Sequence, residues 1–276
     1  MKTKSPQIFC SILAVSSLAI TSGLVGIATA TENQGISSGV IPAQADPKTY
    51  LGDVREAMTV QWPKNRTINI VCHGHSVPSG YGKTPLVDTF NSYPYLLHHA
   101  LKEQYPYAVI NVILTSKGGE ESESGSKRFE RDVLSMHPDV VTIDYSLNDR
   151  RIGLARAEAA WRSMISAAKQ QGVKVLLLTP TPDERAKLDD PNDPLVQHAE
   201  QVRRLARENG VGLVDGFAAF QAAIRSGKNL HDLMAIPNHP NRLGHELVVK
   251  ELLPWFVSPA ASAGQSHAGA SGGTLH

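Results

Sequence analysis

The chain has little cysteine and little net charge. Only Cys10 and Cys72 occur among 276 residues, and 27 Lys and Arg stand against 26 Asp and Glu. Cys10 lies in an apolar stretch at the amino terminus that we expect to be removed, so Cys72 would then have no partner for an intramolecular disulfide. A near-neutral chain has no basic surface for nucleic acid or anionic lipid. A hydrophobic core must therefore hold the fold, and a chain of this length can bury a large one.

The amino terminus has the pattern of an export signal. Lys2 and Lys4 precede an apolar run over residues 8–27, and the small residues Ala28 and Ala30 then form a cleavage motif. Serine and threonine dilute the run, which argues against the alternative of an uncleaved membrane anchor. We predict a signal peptide over residues 1–30 and a secreted or periplasmic protein with no stable membrane anchor after cleavage. Cleavage leaves 25 Lys and Arg against 26 acidic residues.

Two further segments have almost nothing to bury. Residues 31–48 are small and polar without periodicity, which predicts a flexible leader. Residues 259–276 consist largely of Ala, Ser, Gly and His, which predicts a disordered tail. The part between them, residues 49–258, is predicted to form one domain.

The domain alternates short apolar runs with helical patterns. The runs are rich in Val, Ile and Leu without polar alternation, which predicts strands covered on both faces. They occupy residues 67–72, 108–114, 140–145, 173–178 and 211–214. Helices are predicted at 154–171, with Leu154 and Trp161 on its apolar face, at 196–209, and at 242–253, ending at Pro254. This order predicts an α/β fold with about five parallel strands, whose ligands bind beyond the carboxyl ends of the strands.

Chemically useful side chains follow three of these strands and precede the last helix. They lie in segments 73–78, 116–120, 146–149 and 238–245. Ser76 supplies a hydroxyl, and His239 supplies an imidazole that could take its proton. The Ser76 N–H, a glycine N–H from the second segment and the Asn148 amide are donors suited to an oxyanion. Together these groups are the parts needed for acyl transfer.

In this order the four segments resemble the conserved blocks of the SGNH/GDSL hydrolase family, over roughly residues 66–256. The run HPNRLGH from His239 is the most specific match, and Gly74-His75-Ser76-Val77 stands where the family has a GDSL-like block. The resemblance implies a three-layer α/β/α, flavodoxin-like fold and a serine esterase without metal or cofactor. It implies Ser76 as nucleophile, His239 as base, and Gly119 (or else Gly118) with Asn148 at the oxyanion.

The chain departs from the family pattern at three positions. His75 replaces the aspartate before the nucleophile, Ser146 replaces the glycine of the third block, and Ile236 replaces the aspartate three residues before the base. The last change removes the group that usually holds the imidazole tautomer. We favour the Ile236 carbonyl as the new acceptor for His239, because the spacing is kept, and keep the Asp232 carboxylate as the alternative.

Rival sites and functions can be compared on the same residues. A conventional α/β-hydrolase needs G-x-S-x-G, but Pro78 occupies the last position. The histidines at 73, 75, 98 and 99 do not have zinc-ligand spacing. We predict hydrolysis of an oxygen ester, of a small molecule or an acetylated carbohydrate, that slows as His239 protonates near pH 6.5, its ordinary pKa. An acyltransferase using the same site and a non-catalytic carbohydrate-binding protein are the alternatives.

Overall fold

The structure is a computed structural model that describes residues 44–257. The predicted signal peptide, most of the predicted leader and the predicted tail lie outside these residues. Within them, one parallel sheet has five strands in the order β2-β1-β3-β4-β5. The strands are β1 Thr67–Gly74, β2 Val109–Leu114, β3 Val140–Asp144, β4 Lys174–Leu178 and β5 Gly212–Val214. All five coincide with the predicted runs to within two residues. A short antiparallel hairpin follows, formed by β6 Met234–Ile236 and β7 His239–Pro240.

Helices connect the strands and cover both faces of the sheet. They are α1 Gly52–Thr59, α2 Ser76–Ser79, α3 Tyr93–Gln104, α4 Ser122–Lys127, α5 Phe129–Asp132, α6 Ser146–Asp149, α7 Leu154–Gln170, α8 Pro194–Asn209, α9 Gly216–Arg225 and α10 Arg242–Phe256. Three short 3₁₀ helices occupy Thr89–Asn91, Leu134–Met136 and Leu230–Leu233. None of the helices within residues 44–257 has both the length and the apolar composition that crossing a bilayer requires.

Apolar side chains on the two faces of the sheet form two separate cores. In β1, Ile70 belongs to the core that includes Phe256 of α10, whereas its neighbour Val71 belongs to the core that includes Trp161 of α7. Successive side chains of a strand point to opposite faces, so a strand covered on both sides has no polar alternation. This double burial is the physical reason for the continuous apolar runs, and it confirms the three-layer fold.

Three local predictions need correction. Residues 44–48 were assigned to a flexible leader, but Ala45 packs against the core and Arg55 donates to the Pro47 carbonyl at 2.9 Å. Helix α10 continues through Pro254 to Phe256, because a proline within the last turn removes only one main-chain hydrogen bond. Leu154, predicted on the apolar face of α7, is 39% exposed because it is the first residue of that helix.

The strand order determines where a ligand can bind. After β1 the chain crosses to β2 on one side, whereas β3 pairs with β1 on the other side. Such a reversal opens a crevice beyond the carboxyl ends of β1 and β3. Ser76 follows β1 and Asn148 follows β3, so both lie at this crevice.

Candidate active site

Ser76 lies next to a close packing contact between β1 and β3. It is the first residue of α2, directly beyond the end of β1, and only 6% of it is exposed. Gly74 permits this approach, since a Cβ there would lie 2.5 Å from the Asp144 carbonyl oxygen of β3. Any side chain at residue 74 would therefore push the two strands apart and displace the serine.

His239 reaches the serine from the β6–β7 hairpin. Its Nε2 lies 2.6 Å from the Ser76 Oγ, although the two residues are 163 positions apart in sequence. Both side chains are largely buried, which protects the contact from competing water. The structure thus brings together the two side chains on which the sequence argument depended.

The other ring nitrogen of His239 has a partner that we did not predict. Nδ1 lies 3.0 Å from the Oδ1 of Asn238, the adjacent residue in the hairpin turn. Both predicted acceptors, the Ile236 carbonyl and the Asp232 carboxylate, are therefore wrong. Ile236 is the direct cross-strand partner of His239, and the turn between them carries the Asn238 side chain to the ring. The clue in the sequence was a polar residue directly beside the base.

The remaining residues of the HPNRLGH run build the support for His239. Asn241 caps α10 by accepting the Gly244 N–H at 3.2 Å and donates to the Asp232 carbonyl at 2.9 Å. A Cβ at Gly244 would lie 2.4 Å from the Leu233 carbonyl oxygen, so only glycine lets α10 pack this closely. His245 accepts the Tyr93 N–H at 3.2 Å and thereby caps α3. The specificity of this run therefore reflects packing as much as chemistry.

The surroundings of His239 favour its neutral form. Burial is the largest cause, and the nearby His75 adds to it, so that the pKa of His239 falls to about 4 while the Asp183 charge opposes the shift. A neutral imidazole is the form that accepts a proton from serine. This corrects the expectation of a pKa near 6.5, because the sequence did not show that the ring would be buried.

Asp183 is a charged residue of the site that the sequence argument missed. It is almost fully buried, and it accepts from Arg150 at 2.9 Å and from Arg185 at 2.8 Å. Burial alone would raise the pKa of Asp183, but the hydrogen bonds from Arg185 and Arg150 outweigh it and lower the pKa to about 2. The side chain is thus a carboxylate near His239. The signal in the sequence is the position of Asp183 in the loop after β4, because ligands bind beyond the carboxyl ends of the strands.

Gly119 and Asn148, two of the predicted oxyanion donors, lie on neighbouring segments that are joined by a hydrogen bond. The Asn148 Nδ2 donates to the Glu120 carbonyl at 2.9 Å, which leaves its second amide hydrogen for another acceptor. Gly119 has a φ of +75°, in the left-handed region that favours glycine, and Arg151 donates to its carbonyl. A Cβ at Gly118 would lie 2.9 Å from the Tyr81 hydroxyl. Both glycines thus have a local reason to lack a side chain.

A buried network of hydrogen bonds holds Glu120, which lies between these two segments. Arg128 donates to the Glu120 carboxylate at 2.9 Å, and the Tyr145 hydroxyl donates to the same carboxylate at 2.8 Å. The Tyr145 hydroxyl also lies 3.0 Å from the His73 Nε2. Asp149 accepts the Trp161 indole N–H at 2.7 Å and so ties α6 to α7. The network holds Glu120, and through its carbonyl Asn148, in place.

A small cavity adjoins the hairpin that carries His239. It has a volume of about 190 Å³, and its lining includes Tyr81, Leu86, Ala235 and Pro240. Larger depressions occur elsewhere, including one of about 680 Å³ lined by Phe90 and Tyr95, and Ser76 and His239 line neither that depression nor the small cavity. Within residues 44–257, His, Cys, Asp and Glu side chains do not form a group of three or more that could hold a metal ion.

The chain is similar in sequence and fold to known esterases. An acetylxylan esterase from Geobacillus stearothermophilus is 25% identical over 194 residues, which span 65% of this chain and 86% of that protein. A crystal structure of an acetylxylan esterase from the same organism is 22% identical with a TM-score of 0.59, covering 68% of this chain and 94% of that one. A two-domain esterase active on acetylated mannans is 19% identical with a TM-score of 0.61, covering 84% of this chain and 59% of that one. These structures share the fold.

The family follows from a match that is longer than any single motif. The sequence model of the GDSL-like Lipase/Acylhydrolase family matches residues 72–247, which is more than half of the chain and includes every segment of the site. The protein therefore belongs to the GDSL-like lipase/acylhydrolase family and is a carboxylic ester hydrolase.

Proposed function

We propose that the protein is an exported esterase that removes acetyl groups from carbohydrates, with Ser76 as nucleophile and His239 as general base. The observation that carries the proposal is the 2.6 Å contact between the Ser76 Oγ and the His239 Nε2, made by a base whose surroundings keep it neutral. A serine hydroxyl is a poor nucleophile unless such a base takes its proton.

The reaction follows from the positions of these groups. The Ser76 Oγ attacks the ester carbonyl while its proton passes to the His239 Nε2, and the carbonyl oxygen becomes an oxyanion. The Ser76 N–H, the Gly119 N–H and the second amide hydrogen of Asn148 would donate to it. The C–O bond to the sugar then breaks, and His239 returns the proton to the leaving oxygen. A water molecule, deprotonated by His239, releases the acyl group as the carboxylic acid and restores Ser76.

His239 would work here without a carboxylate on its Nδ1. The Asn238 Oδ1 accepts the Nδ1–H, which leaves the Nε2 lone pair facing serine. Asp183 supplies negative charge at longer range and favours the imidazolium that forms during the attack. A neutral acceptor together with a more distant carboxylate thus takes over the two tasks of the family's aspartate.

Several observations favour an acetylated carbohydrate as substrate. Two of the similar proteins act on acetylated polysaccharides, one on xylan and one on mannans. The near-neutral sequence fits an uncharged polymer as partner rather than nucleic acid.

The proposal can be tested by labelling and by product analysis. A fluorophosphonate probe should label the wild-type protein at Ser76 and should not label Ser76→Ala. Acetate release from acetylated xylo- and manno-oligosaccharides should exceed release from long-chain p-nitrophenyl esters. Failure to label would instead support a carbohydrate-binding protein without catalysis. Transfer of the acetyl group to an added sugar, with little free acetate, would support an acyltransferase.

Export is a separate part of the proposal, resting on residues 1–30 of the sequence. Expression of the full chain in a bacterial host should give a periplasmic or secreted product whose amino terminus begins after Ala30. A product retained in the cytoplasm with Lys2 and Lys4 still present would contradict it.

A further inference from the structure

His75, which stands where the family has an aspartate before the nucleophile, is fully buried. His75 has no exposed surface, and its ring lies under the first turn of α2. The Nδ1 of its ring lies 3.2 Å from the Val77 N, which donates to it, and 3.5 Å from the Ser76 Oγ. The ring therefore contacts both the main chain and the hydroxyl of the turn that presents the nucleophile.

These contacts determine which nitrogen of His75 carries the proton. Because Nδ1 accepts the Val77 N–H, its lone pair is occupied and the neutral ring must carry its hydrogen on Nε2. Nε2 lies 3.3 Å from the Asp144 Oδ1, at the end of β3. The alignment is too poor for a hydrogen bond, so the attraction is electrostatic. Asp144 is itself buried and accepts from the Tyr93 hydroxyl at 3.3 Å.

An aspartate at residue 75, as in the family pattern, would not suit this environment. It could cap α2, but it would bring a second buried carboxylate beside Asp144, and like charges in a buried site repel strongly. An asparagine could also accept the Val77 N–H, but it is too short to reach Asp144 as well. The imidazole spans both anchors, from the Val77 N–H to the β3 carboxylate.

We propose that His75 is a positioning residue, in which a ring held by Asp144 fixes the first turn of α2 and thereby orients the Ser76 hydroxyl and N–H for attack. The inference rests on the proposed role of Ser76 as nucleophile. Misplacement of a reacting group by about 1 Å can slow a reaction about a hundredfold, so the effect belongs in kcat rather than KM.

The charged and titratable groups facing His75 come from several elements. Asp144 lies on β3, Asp149 on α6 and His239 on the hairpin, and Tyr93 of α3 contacts Asp144.

The test compares His75→Asn with His75→Ala, Asp144→Asn and the double variant His75→Asn/Asp144→Asn, with the exposed His99→Asn as control. The measurements are kcat and KM for p-nitrophenyl acetate, the fluorophosphonate labelling rate at Ser76 and the thermal melting temperature. We expect His75→Asn to retain the wild-type melting temperature, because asparagine caps helices well, while kcat and labelling fall at least about tenfold with KM unchanged. Asp144→Asn should give a similar loss, and the double variant should be no slower than the slower single variant.

Each outcome decides between explanations. Wild-type kcat and labelling in His75→Asn, with a loss only in His75→Ala, would overturn the inference and leave His75 as a helix cap. Additive losses in the double variant would contradict the role of Asp144. If Asp144→Asn does not fold, the single variant His75→Asn still decides the role of the ring. Absence of labelling in the wild-type protein would contradict the proposed function instead, and so the two failures are distinguishable.

Discussion

The contact between His239 and Asn238 offers a direct test of how the base is held. In Asn238→Ala, the Nδ1–H loses its acceptor, which lies 3.0 Å away in the native structure. A neutral hydrogen bond contributes about 1 kcal/mol net, which corresponds to about fivefold in rate. Loss of ring orientation adds to this, so we expect kcat/KM to fall about tenfold. By contrast, disabling the aspartate of a Ser-His-Asp triad costs about 10⁴-fold.

The variant Asn238→Asp examines the same contact from the other direction. A carboxylate beside Nδ1 favours the protonated ring, so it should raise the pKa of His239 above its present value of about 4. The acid limb of kcat/KM should then move to higher pH, while activity near pH 8 is retained or increased.

The assay is initial-rate hydrolysis of p-nitrophenyl acetate from pH 4 to 8, with Asp232→Asn as the matched control. The control should stay near the wild-type rate, since the Asp232 carboxylate is not the partner of Nδ1. Wild-type activity in Asn238→Ala, or a loss of about a thousandfold in Asp232→Asn, would refute the reasoning.

Three further outcomes are expected. Asn148→Ala should lower kcat by about 10²–10³ if its amide meets the oxyanion, whereas an effect on KM alone would point to a binding role. In the wild-type protein, kcat/KM should remain high down to about pH 5 and then fall, because burial lowers the pKa of His239 to about 4; a midpoint near pH 6.5 would contradict that shift. The melting temperature should fall as the pH drops from 6.5 towards 4, because burial lowers the pKa of His73 and of His245 to about 3 and only the unfolded chain binds these protons. A melting temperature constant over that range would show that these rings are accessible in the folded state.

Much of the fold could be predicted because it depends on local patterns. Buried parallel strands have to be apolar on both faces, so the run at 140–145 identified β3 without further information. Element ends were less predictable. Pro254 predicts the end of the last helix, but α10 continues through it to Phe256. Ala45 looked like part of a polar leader, and only its packing on the core shows otherwise.

The same distinction between local patterns and tertiary contacts applies to the candidate active site. Ser76 and His239 could be proposed from the sequence, because strand ends meet at one edge of a parallel sheet and the flanking blocks are specific. The partner of His239 could not, since it depends on the direction in which the turn after Ile236 projects the Asn238 side chain. Asp183 was missed because its role comes from burial and from hydrogen bonds with Arg185 and with Arg150, which is far away in the sequence.

By itself, the sequence determined the layered architecture and the family, and it led to the proposal of Ser76 and His239 as the reacting side chains, because hydrophobic periodicity and short motifs are properties of neighbouring residues. Tertiary structure alone decided how the base is oriented, how far its pKa falls and what lies beneath the nucleophile. Those properties depend on burial and on contacts such as His75 with Asp144, which join residues far apart in the chain. Only the folded chain brings such residues within a few ångströms of each other.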